Sequence, residues 1–243
     1  AAEVVTSVEN TGSEAHTLEM LSSFTLGSLS PFSAGLASET LKIHRLRSTW
    51  SAEGRLVTEA AEDLQLEPSW KCYSANSVRF GSVGSFPVRG FVPFCAVEDT
   101  AHGVTWAAAT TQGSSWQMEL YRQDFGLSLS GGLADREFGA WCKTLAPGAR
   151  FTTPKAVLTA VCGGADTAAQ VLAENTRRAI EPLLPASEKT LPVLFNEFCS
   201  TWGKPTEETV LRHVRALKGK NLGYYVIDAG WYDDDAFEAA AKL

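Results

Sequence analysis

The chain has 243 residues, 44% of them hydrophobic, and a formal net charge of −7. That is enough apolar material for one large domain, or for one domain and part of a second. The acidic balance and the lack of any clustered Lys/Arg run exclude nucleic acid and anionic membrane as partners, and no apolar stretch nears the roughly 20 residues of a membrane span.

From residue 1 to about 160, short runs of β-branched and aromatic residues alternate with Gly, Ser, Asn and Pro clusters, the pattern of an antiparallel sheet protein. Val4 to Val8 reads as a strand running into the turn Glu9-Asn10-Thr11-Gly12. Leu41 to Leu46 alternates apolar and polar side chains at the period of a half-buried strand. Gly103–Ala109 and Ser115–Tyr121 read as two strands joined around Thr111-Gln112-Gly113, and so many short strands predict a β-sandwich. Within it, Asp135 and Arg136 read as a structural ion pair.

After Pro154 the period changes. Asp166 to Leu183 predicts a connecting helix with Val171, Leu172, Ile180 and Leu183 on one face, capped at Asp166 or Thr167. Pro182, Pro185 and Ser187 then mark a linker, with a domain boundary near 184–190. Leu191–Phe198 predicts a buried strand, followed by a loop with Trp202, Gly203 and Pro205. A helix follows, with Glu207 and Glu208 in its first turn and Arg212, Arg215, Lys218 and Lys220 later, an order that complements the helix dipole. Val210, Val214 and Leu217, beside Leu211, give it an apolar stripe. Tyr224–Asp228 is a second apolar strand, so the segment is a βαβ unit of the kind that builds parallel sheets. The closing Ala236–Leu243 stretch fits the start of a further helix.

In a barrel of such units, strand C-terminal ends face the active site. This brings Asn196 and Glu197 at one strand end together with Asp228 and Trp231 at the next. Trp202, in the loop after the first strand, either faces substrate or packs. For Asn196 and Glu197 the alternatives are contact with a hydroxyl and packing polarity.

The string Pro192-Val193-Leu194-Phe195-Asn196-Glu197-Phe198, a helix, then Tyr225-Val226-Ile227-Asp228-Ala229-Gly230-Trp231-Tyr232 resembles the barrel opening of glycoside hydrolase family 36, the α-galactosidase type. There a Pro-Val-Leu-Tyr-Asn strand precedes an Asp-Asp-Gly-Trp strand. Upstream, Ser115–Tyr121, Ser130–Gly139, Trp141-Cys142-Lys143 and Pro147-Gly148 follow the order seen before that family's barrel. The resemblance implies a multidomain β plus α/β protein, with a β-sandwich over 1–162, a connecting helix and linker over 163–190, and the first βαβ unit of a truncated (β/α)8 barrel over 191–243. It also implies retaining hydrolysis of terminal α-galactosides by two aspartates on barrel strands four and six. Those acids are expected beyond Leu243, so no residue of this chain is assigned to the chemical step and the chain alone is expected to be inactive. Asp228 matches the first acid of the Asp-Asp-Gly-Trp motif as a sugar-hydroxyl acceptor, and Trp231 is suited to stacking on the ring. Ala229 departs from the second acid and opens an α-N-acetylgalactosaminide as alternative substrate.

No metal is assigned: three successive carboxylates, Asp233-Asp234-Asp235, cannot all converge on one ion, and read instead as a solvated loop or helix cap. No cofactor is expected, since Gly163-Gly164 lacks the pattern of a phosphate loop. His16, His44, His102 and His213 show no spacing of a catalytic triad. Five cysteines, Cys72, Cys95, Cys142, Cys162 and Cys199, are scattered and read as buried free thiols, which favours a cytoplasmic location. A secreted form with its signal removed is the alternative, since the chain starts at Ala1. Remaining partners are a homo-oligomer or the rest of the barrel, because an uncovered two-strand slice leaves an open edge. A non-catalytic sandwich that binds sugar or organises subunits is the competing class.

Overall fold

Sixteen strands and four α-helices are found in the computed structural model, which describes residues 1–33, 37, 39–66, 76–123 and 126–232. The chain divides into two compact units, Ala1–Arg177 and Arg178–Leu243. Strands β1 (Ala2–Val4), β2 (Ser7–Glu9), β3 (His16–Leu18) and β4 (Ser22–Leu29) open the first unit. They are followed by β5 (Leu41–Ser48), β6 (Arg55–Ala60), β7 (Asn76–Ser82), β8 (Gly90–Asp99), β9 (Val104–Thr110), β10 (Trp116–Gln123) and β11 (Gly126–Leu133). Helix α1 (Arg136–Gly139), β12 (Lys143–Leu145), β13 (Arg150–Thr152), β14 (Ala156–Cys162) and α2 (Ala165–Ile180) complete this part.

A six-stranded sheet, β1-β14-β9-β8-β5-β6, and a four-stranded sheet, β4-β11-β10-β7, enclose one core, and all their pairings are antiparallel. The pleat decides what lies inside. On β10, Trp116, Met118 and Leu120 are buried in that core and meet Leu127 and Leu129 of β11 and Phe80 of β7. Leu41, Ile43, Cys95, Val97 and Ala108 supply the opposing sheet's contribution. The indole N–H of Trp116 donates to the Pro87 carbonyl, so its polar edge is satisfied as well.

Strands β9 and β10 are consecutive but belong to different sheets, so Thr111-Gln112-Gly113 turns a corner of the sandwich and does not close a hairpin. Val4 to Val8 is two strands: β1 pairs with β14 and β2 with β13. Strand β8 is buried on both faces, because Phe94 and Ala96 turn away from the sandwich interior and pack with Ala107, Val157 and α2. That helix presents Ala165, Ala168 and Leu172 to this second core. Of the residues expected on its apolar face, Leu172 is buried whereas Ile180 and Leu183 are exposed. It also starts at Ala165, which puts Asp166 inside the first turn and not at the cap.

Asp135 and Arg136 do not pair with one another. Asp135 caps α1 by accepting from the Phe138 N–H at 2.7 Å and lies 3.3 Å from the Arg79 guanidinium. Arg136 pairs with Glu19. The thiol expectation also needs correction: Cys95 is buried, but Cys142, Cys162 and Cys199 are exposed. Cys72, the Asp233-Asp234-Asp235 run and the expected helix over 236–243 lie outside the described residues.

The second unit is a parallel crossover. Strand β15 (Leu194–Asn196) leads through the short α3 (Phe198–Thr201) and α4 (Glu207–Leu217) to β16 (Tyr224–Val226). The two strands pair in parallel, Leu194 opposite Tyr224 and Asn196 opposite Val226. The Thr206 hydroxyl accepts from the Thr209 N–H at 3.2 Å and caps α4, with Glu207 and Glu208 in the first turn and Arg215 in the last. Phe195 and Tyr225 stack with centroids 5.6 Å apart, and His213 of α4 bonds the Tyr225 hydroxyl at 3.1 Å. By the period of two, Leu194, Asn196, Tyr224 and Val226 take the other face of the pair. The parallel part seen among the described residues is this one pair of strands. No described helix is long and apolar enough to cross a membrane.

Candidate functional site

Where β15 and β16 end, the backbone leaves the ladder and Asn196, Glu197 and Asp228 meet. The last ladder bond runs from the Glu197 N–H to the Val226 carbonyl at 3.2 Å. Glu197 then adopts helical dihedrals, φ −82° and ψ −11°, and the chain enters α3. Asn196 donates through Nδ2 to Asp228 Oδ2 at 2.6 Å and accepts from the Phe198 N–H at 2.9 Å, so its amide orientation is fixed from both ends. Glu197 Oε1 accepts from the Asp228 N–H at 3.1 Å, and its Oε2 accepts from the Thr201 hydroxyl. The sequence expectation that Asn196, Glu197 and Asp228 adjoin one another matches this geometry.

The two tryptophans flank the same ends. Trp202 is the residue after α3, in the left-handed region at φ 51°, with its N–H on the Phe198 carbonyl and its ring edge-on to Phe198 at 6.1 Å. A bulky residue held there costs roughly 1–2 kcal/mol, a kind of strain that clusters at functional positions. Gly203 follows at φ 75° and Gly230 has φ 88°. These glycines touch: a β-carbon added to Gly230 would lie 1.7 Å from the Gly203 carbonyl oxygen. Trp202-Gly203 and Gly230-Trp231 thus have reversed sequence order and meet at their glycines, and both indoles stand in solvent at 74% and 69% exposure.

Four of the five anticipated residues, Asn196, Trp202, Asp228 and Trp231, have exposed or half-buried side chains. Glu197 is 0% exposed and lies beneath them, with both carboxylate oxygens already engaged. Thr201 and the Gly203–Gly230 contact were not anticipated. A threonine four residues after a strand-end acid, and the Trp-Gly and Gly-Trp pairs, were the available signals. Among the described residues no group of three His, Cys, Asp or Glu side chains is placed to hold a metal ion. A cleft of about 370 Å³ lies at the other end of the crossover, lined by Val214, Leu217, Leu222 and Tyr224. In (β/α)8 barrels that end serves stability and chemistry sits at the strand C-termini.

The fold defined by these elements is an antiparallel β-sandwich that precedes a parallel βαβ unit. Solved structures of α-galactosidases share it. The chain is similar to the galactosidase domain of an α-galactosidase–sucrose kinase at 17% identity and TM-score 0.70, over 95% of this chain and 30% of that one. A family 36 α-galactosidase of Geobacillus stearothermophilus in complex with stachyose matches at 17% identity and TM-score 0.70, over 94% of this chain and 29% of that one. An α-galactosidase of Lactobacillus brevis matches at 19% identity and TM-score 0.69, over 95% and 29%. The likeness is one of fold, and the chain spans about 30% of the length of those chains. No protein-family model matches the chain, and no curated protein matches it by sequence.

Proposed function

We propose that this chain is the sandwich and barrel opening of a retaining α-galactosidase-like glycoside hydrolase of family 36, and that its strand-end cluster holds the terminal sugar. In this reading the sandwich covers 1–162, the connector 163–190 and the barrel opening 191–243. The observation that carries it is a carboxylate, Asp228, held at a parallel strand end by Asn196, beside two solvent-facing indoles on contacting loops. Asn196 occupies Oδ2, and among the described residues Oδ1 is left as an acceptor for a sugar hydroxyl. Trp231 and Trp202 offer aromatic faces to the apolar side of the ring.

Retention requires two carboxyl groups roughly 5–5.5 Å apart, one to form the glycosyl-enzyme and one to act as acid and then base. The family resemblance assigns these to barrel strands four and six, so the 243 residues bind and orient the sugar without transforming it. Ala229 stands where the family carries a second acid, which favours an α-N-acetylgalactosaminide as the alternative ligand.

Titration of the purified chain with methyl α-galactoside, followed by indole NMR signals, tests the reading. We expect Trp202 and Trp231 to shift and Asp228→Ala to abolish the response. An unchanged response in Asp228→Ala, or binding confined to the sandwich, would replace it with the sugar-binding module class. Steady turnover of an α-galactoside by this chain would refute the division of labour.

A further inference from the structure

Among the described residues of the second unit, one side chain is completely buried, and it is a carboxylate. Glu197 sits where the β15–β16 ladder fails. A regular parallel partner would offer a backbone carbonyl to the next N–H of β16, but β15 has already turned into α3. The Asp228 N–H is answered by Glu197 Oε1 at 3.1 Å instead. Its second oxygen takes the Thr201 hydroxyl, on the residue next to Trp202. One buried carboxylate thus braces the two loops that carry Asp228, Trp231 and Trp202. A hydrogen bond to a charged acceptor is worth more than a neutral one, and orphaning a buried N–H costs its full desolvation.

We propose that Glu197 is a positioning residue: its buried carboxylate continues the sheet by one side-chain rung, fixing the Asp228 backbone and the Trp202 loop in the geometry that receives the sugar. The role at the sugar rests on the function proposed above, whereas the brace itself does not.

The test uses the full chain with three variants and two readouts, methyl α-galactoside affinity and hydrogen exchange of single amides by NMR. Glu197→Leu removes both acceptors. We expect the Asp228 amide to exchange about tenfold faster or more, with a comparable loss of sugar affinity. The Gly223 amide, bonded to the Val193 carbonyl at the far end of the strand pair, should change far less. Glu197→Gln keeps an acceptor toward Asp228 and an amide donor toward Thr201, and should restore both readouts to within about threefold of wild type. Thr201→Val frees one oxygen and should weaken binding several-fold with its fold intact, which keeps the test decisive if Glu197→Leu does not fold. Equal acceleration at Asp228 and Gly223 would make Glu197 a general stabiliser and overturn the proposal, as would failure of Glu197→Gln to rescue. If no variant and no wild type binds the glycoside, the sugar reading falls alone, and the Asp228 amide still decides the brace.

Discussion

The sandwich and the crossover unit use the same kinds of apolar residue to opposite effect. In the first unit Trp116, Met118, Leu120, Leu127 and Leu129 are sealed between two sheets, and a second layer under α2 buries Phe94 and Ala96. In the second, Leu191, Val193, Leu194, Leu211, Val214 and Ile227 are all exposed, and among its described residues Glu197 alone is fully buried. Burial of an apolar side chain is worth roughly 1.5–3 kcal/mol, so the first unit holds its stability in its core. The crossover unit is held by ladder bonds, an aromatic stack and a hydrogen-bonded carboxylate. Amphipathic pattern defines which face needs cover, whereas tertiary context decides whether cover is present.

The sharpest way to break this contrast is Trp116→Ala, which empties a 0% exposed site and orphans the Pro87 carbonyl. It should cost about 3–5 kcal/mol, read as a fall in the denaturant midpoint of the sandwich. A smaller loss would mean that the core is looser than its burial implies.

Acid comes next. Burial pulls the Asp99 carboxyl upward, but hydrogen bonds from Ser30 and His102, with the His102 charge, outweigh it and hold the group below its ordinary value. In Asp135 burial is likewise outweighed, by bonds from Phe138 and Gln117 and by Arg79. A carboxyl depressed in the folded state stabilises it above the unfolded pKa of about 3.9, and that contribution is lost as pH falls through the folded value. Urea midpoints of the sandwich should therefore hold from neutrality to about pH 4 and drop below it. Asp99→Asn should start lower and flatten that drop.

Thiol chemistry separates the regions more gently. Burial pushes the Cys95 thiol up to about 12, with Arg45 only partly opposing it, while Cys142, Cys162 and Cys199 are exposed. Iodoacetamide at mild alkaline pH should label those three at once and Cys95 only when denaturant opens the sandwich, a difference that peptide mass mapping resolves. Rapid labelling of Cys95 in the native protein would contradict the sealed core. The smallest effect is expected for Val214→Ala in α4. At 45% exposure it should move stability by less than about 0.5 kcal/mol. A core-sized loss there would show that this face is covered in solution.

Much of the crossover was legible because its signals are local. The early acids and late bases located α4, and the apolar runs Leu191–Phe198 and Tyr224–Asp228 located the two strands, which the structure shortens to Leu194–Asn196 and Tyr224–Val226. The sandwich was legible as a class through its many short strands and the alternation over Leu41–Leu46 of β5, but its connectivity was not. Nothing in Thr111-Gln112-Gly113 says whether the chain folds back or changes sheet, because that choice is made by distant partners. The α2 face was read correctly only at Leu172, for a physical reason. Large side chains dominate a hydropathy pattern, yet the helix approaches the sheet along Ala165 and Ala168, with Leu172 alone contributing bulk. At the site, residue types at strand ends revealed which groups meet. Their depth could not be read, since Asn196 and Glu197 are adjacent and only the turn into α3 sends the second one inward.

The meeting of Gly203 and Gly230 has a further consequence. Because main chain touches main chain there, the spacing between the two indoles is measured in peptide thickness, not in side-chain bulk. Such a ruler cannot be lengthened by a methyl group without prying the loops apart, whereas the aromatic rings at its ends can be exchanged freely. Diversification of the rim would therefore retain both glycines while altering what is displayed on either side, keeping the distance between the two loops constant as the chemistry around them varies.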